Sequence, residues 1–247
     1  MTRSGTWPLR AGATVGALIY AALAIGNGLD RLALTRPGAV SDVPEIFATN
    51  ALGVAGEADL RSDPRAANRL AERLVGRAPI EPFSTALLGA SRAASGGDAG
   101  ADRAFRVAGQ LGWRIPLTQS YWLAAALASG DARIAAQHLD ALLRQRPDLL
   151  SLPETVAPFE SNAAARNALV DRLATRPPWL DGYAGAMDPA PAATMIIRRM
   201  PVLKMLGDRG IILGCVVIAP AVSQLAAAGL TAEVEALRGQ HCPSQAE

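Results

Sequence analysis

The sequence predicts an all-α fold preceded by one membrane-crossing helix. Three observations carry this: an apolar content made mostly of Ala and Leu, a pattern that returns at a fixed interval, and an uncharged stretch near the N-terminus. Ala and Leu are strong helix formers, whereas strands draw on β-branched and aromatic residues, and aromatics are only 4% of the 247 residues. With 50% hydrophobic and 19% charged residues, the chain can bury a sizeable core and is not of disordered composition. The net charge of +2 comes without a basic stripe or interleaved aromatics, so no nucleic-acid interface is expected. Basic charge is nearly all arginine, Lys204 being the single lysine, and the scattered arginines read as solvated helix faces.

The uncharged stretch runs from Ala11 to Leu29, between Arg10 and Asp30. A helix over that stretch rises about 28 Å, close to a hydrocarbon core of about 30 Å. Arg3 and Arg10 favour a cytoplasmic N-terminus, while Arg31 and Arg36 on the other side weaken the bias. Two readings compete. An uncleaved signal-anchor fits an apolar stretch that continues through Ile25 and Leu29; a cleaved signal peptide would use Ala22-Leu23-Ala24. Both place the remaining chain outside the cytoplasm, and the anchor is preferred. The expected organisation is a tail over 1–10, a transmembrane or signal-anchor helix over 11–30 and a linker over 31–41 containing Arg36-Pro37-Gly38. A helical domain over 42–240 and a polar tail over 241–247 follow. A second uncharged stretch, 210–232, is interrupted by Pro220, Ser223 and Gln224, and its apolar centre is only Ile211–Val222. So short a centre suits a core helix better than a second span. A two-span subunit of a larger membrane complex is the alternative.

The repeat is clearest from Gly130 to Pro147. A Gly130-Asp131 turn is followed by Ala135, then Leu139, Leu142 and the closing Pro147. One period earlier, Ala101, Phe105, Ala108 and Trp113 take the same positions; one period earlier still, Ala67, Ala71, Leu74 and Pro79 do. The period is about 34 residues, the length of one helix–turn–helix repeat. Small residues at 67, 101 and 135 let a paired helix approach closely, large ones fill the space beside them, and prolines end the helices. A shortened fourth unit places Ala165, Leu169, Leu173 and Pro177, and a fifth pair is expected from Ala190 to Leu206 and from Pro220 to Leu237. Asp42-Val43-Pro44-Glu45 reads as a helix start, Asp98 starts a helix after Gly96-Gly97, and Thr231 is a candidate cap ahead of Glu233.

These motifs, with Leu88-Gly89, Gly130-Asp131 and Arg176-Pro177-Pro178-Trp179, resemble the membrane-anchored tetratricopeptide-like (TPR-like) proteins of Gram-negative cell envelopes. Trp122-Leu123 departs from the family's large-small pair. The resemblance implies an α-solenoid of helix pairs acting as a scaffold for protein–protein interaction. Its setting is the bacterial inner membrane, with the repeats in the periplasm, and polysaccharide assembly or export is one context. Repeats of this type that clamp a peptide carboxylate place Lys, Arg and Asn on first-helix positions. Here those positions hold Phe83, Ala86, Ala90 and Ala93 in one unit and Leu117, Ser120, Ala124 and Leu127 in the next. They are apolar or small, so no clamp is expected. The groove they would line is filled by the repeats themselves or takes an apolar partner helix.

No catalytic constellation stands out. His138 lies on a repeat helix and His241 in the tail, and neither has a partner pattern. No nucleophile elbow, phosphate loop or dinucleotide fingerprint occurs. The carboxylate pairs Glu154/Glu160 and Asp98/Asp102 read as solvated or capping groups. A helical enzyme acting on a glycan is a distant alternative that would need one of these glutamates beside an arginine in a cleft. Cys215 reads as a buried small residue and Cys242 as part of a polar tail, with one bridge between them as the minority reading. The expectation is a scaffold without catalytic, cofactor or metal residues. It would bind other envelope proteins, reach the membrane through 11–30, and take no small-molecule ligand.

Overall fold

The computed structural model describes residues 7–242 and is all-α, with no strand among them. Arg3 and tail residues 243–247 lie outside the described residues. The chain forms two compact units that divide between Leu117 and Thr118.

The first unit begins with α1 (Trp7–Thr35), the one helix among the described residues long and apolar enough to cross a membrane. Residues 12–25 are exposed, Leu18, Ile19 and Tyr20 among them. From Gly26 onward the same helix belongs to the fold. A Cβ on Gly26 would collide with the Phe47 ring, and Ala33 is fully buried. The helix therefore continues to Thr35, through residues read from the sequence as linker. Two 3-10 turns follow, Pro37–Asp42 and Glu45–Phe47, and α2 (Asn50–Ser62) starts later than the Asp42-Pro44 signal suggests. The cap of α2 comes from far upstream. The Asp30 carboxylate accepts from Asn50 N at 3.0 Å, Ala51 N at 2.9 Å and Asn50 Nδ2 at 2.9 Å. An anion at a helix N-terminus satisfies orphan amides and meets the positive end of the helix dipole.

α2 pairs with α3 (Pro64–Arg77), whose N-cap Asp63 accepts from Ala66 N at 3.0 Å ahead of Pro64 at the first helical position. α4 (Pro82–Ala94) and α5 (Asp98–Gly112) form the next pair, joined through Ser95-Gly96-Gly97 with Gly96 at φ 80°. Leu88-Gly89 has a packing cause: a Cβ on Gly89 would lie 2.9 Å from the Phe105 ring. The missing side chain lets α5 close on α4, and Phe105, 2% exposed, fills the space.

The second unit holds most of α6 (Pro116–Ala128), then α7 (Ala132–Leu143), α8 (Pro153–Ser161) and α9 (Ala163–Leu173). Asp131 caps α7 through Ile134 N at 3.0 Å, and Asn162 caps α9 through Ala165 N at 3.1 Å. The starts of α3, α5 and α7 fall at Pro64, Asp98 and Ala132, so the interval repeats without a slip. Ala67, Ala101 and Ala135 are all fully buried. The C-terminal part departs from the predicted pair. It has a short α10 (Leu180–Ala184) and three longer helices, α11 (Ala193–Asp208), α12 (Cys215–Ala227) and α13 (Thr231–His241). α12 has 13 residues, or about 20 Å, and buries Ile218, Ala221, Val222 and Leu225. It is a core helix too short for a span. Thr231 is the first residue of α13 and makes no side-chain cap, because Leu230 takes that position. Cys215 is exposed, not buried, and it forms a disulfide with Cys242 across a Cα–Cα distance of 4.7 Å.

Two glycines, Gly76 on α3 and Gly89 on α4, test this packing. Gly89→Val overpacks the α4/α5 contact and should lower stability by about 1–3 kcal/mol. Gly76, with open space around its Cβ position, should tolerate Ala and gain up to about 1 kcal/mol. Denaturant unfolding of the detergent-solubilised full chain measures both, and equal effects at the two sites would contradict the packing described.

Candidate functional site

The eight residues predicted to line a groove are divided between the units, with Ala93 exposed at the end of α4. On α4, Phe83 and Ala90 are half-buried and Ala86 is fully buried, beneath the surface. On α6, Leu117 and Leu127 are half-buried, and Ser120 and Ala124 are exposed. Leu117 packs against the core of the first unit, and Leu127 against that of the second.

Phe83 does line a pocket. It is about 540 Å³ in volume and lies in the first unit, walled by Leu34 of α1, Val54 and Glu57 of α2, Leu74 of α3 and Phe83 of α4, with Glu81 at the start of α4. The apolar wall comes from Leu34, Val54, Leu74 and Phe83. The carboxylates of Glu57 and Glu81 are on exposed residues. An apolar recess edged by two carboxylates suits an aliphatic or aromatic side chain accompanied by a basic one.

A second arrangement lies in the second unit and is buried. Glu160 on α8 is 5% exposed and Arg199 on α11 is 1% exposed. Arg199 donates to the carbonyls of Tyr183 at 2.9 Å and Leu150 at 2.8 Å, and its Nε lies 3.5 Å from Glu160 Oε1. Its guanidinium sits 4.8 Å from the Tyr183 ring centroid, and Tyr183 donates its hydroxyl to Glu160 Oε1 at 3.3 Å. Burial pushes the Glu160 carboxyl up, against the opposing pull of Arg199 and Arg198. Burial also lifts the Tyr183 phenol well above its usual range, helped by the Glu160 charge, and draws the Arg199 guanidinium down. Glu160 is thus not the solvated loop carboxylate the sequence suggests. It stands beside an arginine in a packed interior and joins α8, α10 and α11. Asp140 does similar work nearer the surface, accepting from Trp179 Nε1 at 2.9 Å and from Arg144 Nε at 2.9 Å. The Trp179 of Arg176-Pro177-Pro178-Trp179 therefore has a defined buried partner. Asp102 pairs with Arg106 one helical turn on, and Asp98 lies in the first turn of α5.

Sequence reasoning passed over Arg199. The available signal was an arginine within the otherwise apolar run of α11, where a charge on a buried face requires a partner. The histidines are tied down as well. His138 Nδ1 is 2.7 Å from Gln119 Oε1, and His241 Nε2 donates to the Leu203 carbonyl at 3.0 Å. Burial lowers the pKa of both below the usual 6.5.

The buried ion pair and the histidines give separate outcomes. Arg199→Met strands the Glu160 charge and two carbonyls, so it should cost about 3–5 kcal/mol. Glu160→Gln combined with Arg199→Met should cost less than the sum of the two single changes, as a double-mutant cycle reads directly. A histidine whose folded pKa is depressed stabilises fully above its unfolded pKa of about 6.5 and loses that contribution as pH falls through the folded pKa. Glu160, raised above its usual 4.5, acts the other way: its contribution is present below 4.5 and is lost as pH rises. The histidines therefore pull the melting temperature down as pH drops below about 6.5, while Glu160 opposes them. His241→Gln, which keeps a donor for Leu203, should raise the melting temperature below about pH 6 relative to its value at about pH 8, compared with the unsubstituted chain.

Compared with known proteins, the chain matches no family model, no curated relative and no solved structure.

Proposed function

We propose that the chain is a non-catalytic scaffold, anchored in the bacterial inner membrane by α1 and presenting TPR-like helical repeats to partner proteins in the periplasm. The observation that carries this is α1 itself. It is exposed and apolar over residues 12–25, yet from Gly26 onward it is built into the first unit. A helix with that division has no role in a water-soluble core, whereas a bilayer would cover the exposed part. The repeat reading is supported by the equal spacing of α3, α5 and α7 and by the fully buried small residue near each start. The periplasmic reading is supported by the Cys215–Cys242 disulfide, because such bridges persist in oxidising compartments. The scaffold reading is supported by the pocket at Phe83, the one predicted groove residue on its wall, and by charges spent on internal ties such as Glu160–Arg199. Partners are other envelope proteins, with polysaccharide assembly or export as the context the repeat resemblance suggests.

Two measurements test it. A phosphatase active only in the periplasm, fused after Glu247, should be active. Cys215 and Cys242 should resist maleimide until a reductant is added; reactive thiols with an inactive fusion would reverse the orientation. Purification in mild detergent should yield a stoichiometric envelope partner that is lost with Phe83→Glu and kept with Ala124→Glu. A chain that purifies alone and monomeric would count against a stable scaffold.

A further inference from the structure

The way α1 enters the fold sets the height of the first unit relative to any membrane that α1 crosses. Counting from Ala11, the uncharged helix reaches Gly26 after about 24 Å and Asp30 after about 30 Å. A hydrocarbon core of about 30 Å therefore extends past Gly26 and ends near Asp30. Gly26 is where Phe47 packs on the helix. The turn Glu45–Phe47 is thus held at the boundary between hydrocarbon and headgroups, with no flexible segment to lift it away.

That turn has the chemistry for such a place. Ile46 is 80% exposed, among the most exposed large apolar residues of the described chain, and it adjoins the half-buried Phe47. Its acidic neighbour Glu45 is neutralised. Arg73 pairs with the Glu45 carboxylate, while Arg77 donates to the Glu45 carbonyl and to the Ala48 carbonyl at 3.2 Å. The nearby Asp30 carboxylate is enclosed by three hydrogen bonds rather than offered to lipid. Exposed Arg31 and Arg36 follow at the level expected for phosphates.

We propose that the first unit rests directly on the bilayer surface, with Ile46 and the edge of Phe47 inserted beside α1 at the hydrocarbon–headgroup boundary. The partner is the lipid surface itself, and the insertion fixes the tilt of the unit as well as its height. This rests on the reading of α1 as a membrane-spanning helix.

The test uses the full chain reconstituted in phosphatidylcholine–phosphatidylglycerol vesicles. Single variants Leu18→Cys, Ile46→Cys and Val107→Cys carry an environment-sensitive nitrobenzoxadiazole label; the native cysteines are paired and do not react. Phosphatidylcholine carrying a nitroxide near the headgroup end of its acyl chain is the quencher for position 46. The same lipid with the nitroxide near its terminal methyl is the quencher for position 18, and position 107 is read with both. All three positions are exposed, so the substitutions leave the core intact. Val107 lies on α5, which packs on α4, and gives the baseline. The expected result is loss of fluorescence at both positions 18 and 46, well beyond that at 107. Quenching at 18, with 46 no more affected than 107, overturns surface contact while leaving the anchor intact. An absence of quenching at 18 removes the anchor reading and this proposal together.

Discussion

The contact on which the rest of the molecule depends is between the Asp30 carboxylate and the first amides of α2. A charged group near the end of an apolar helix would ordinarily mark where the chain leaves the membrane and becomes free. Here it does the opposite. By accepting three hydrogen bonds at a helix N-terminus, Asp30 makes the end of α1 the cap of the first folded helix. Gly26 against Phe47 and buried Ala33 extend the same attachment by about two turns. The exposed apolar stretch and the fold therefore share one helix, and losing the cap would loosen their connection.

The second unit is held by a different device. Its interior is mostly leucine and alanine, whose packing is strong but unspecific in direction. Arg199 supplies direction. Two carbonyls, one ring and one carboxylate fix it from four sides, and these belong to α8, α10 and the segment around Leu150. Such an ion pair adds little net stability relative to an apolar replacement of the same volume, but breaking half of it is severe. The arrangement makes alternative packings of α8 and α11 costly, so those irregularly connected helices keep one register. The same enclosure argues for a structural role: Arg199 and Glu160 spend their charge on each other and on the backbone.

Much of this was legible in the sequence where one residue type had one physical reason to be there. Buried alanines at 67, 101 and 135 and the glycine at 89 follow from local spacing; the structure buries all three alanines and packs the Phe105 ring on Gly89, and the Gly130-Asp131 turn also supplies the cap of α7. What was not legible depended on distant partners. Asp42-Pro44 looked like a helix start because the competing cap, Asp30, lies far upstream of Asn50 and on another helix. Cys215 looked buried because its neighbours are apolar, yet it faces outward and meets Cys242 only through the path of α12 and α13. Of the candidate groove residues, Phe83 lines a recess of the first unit. Ala86, one turn on, is covered by packing that spacing does not reveal.

On the proposed reading of the chain as an anchored scaffold, the continuity of α1 also limits how the first unit can move. A flexible linker, as the sequence suggested for 31–41, would let the repeats roam by roughly 18 Å and sample many orientations. A helix that runs to Thr35 allows neither. Leu34 lies one turn beyond Asp30, about 6 Å further along the axis, and it is itself part of the pocket wall with Phe83. With α1 spanning a bilayer as proposed, the pocket stands within about one helical turn of the hydrocarbon boundary. Under that reading, a segment that enters it would approach close to the lipid surface, with an apolar side chain suited to the recess and basic groups to Glu57 and Glu81. A basic amphipathic helix lying on that surface would meet both requirements. With α1 in a bilayer as proposed, the height of the pocket would thus favour membrane-bound partners over freely diffusing ones, without any additional contact.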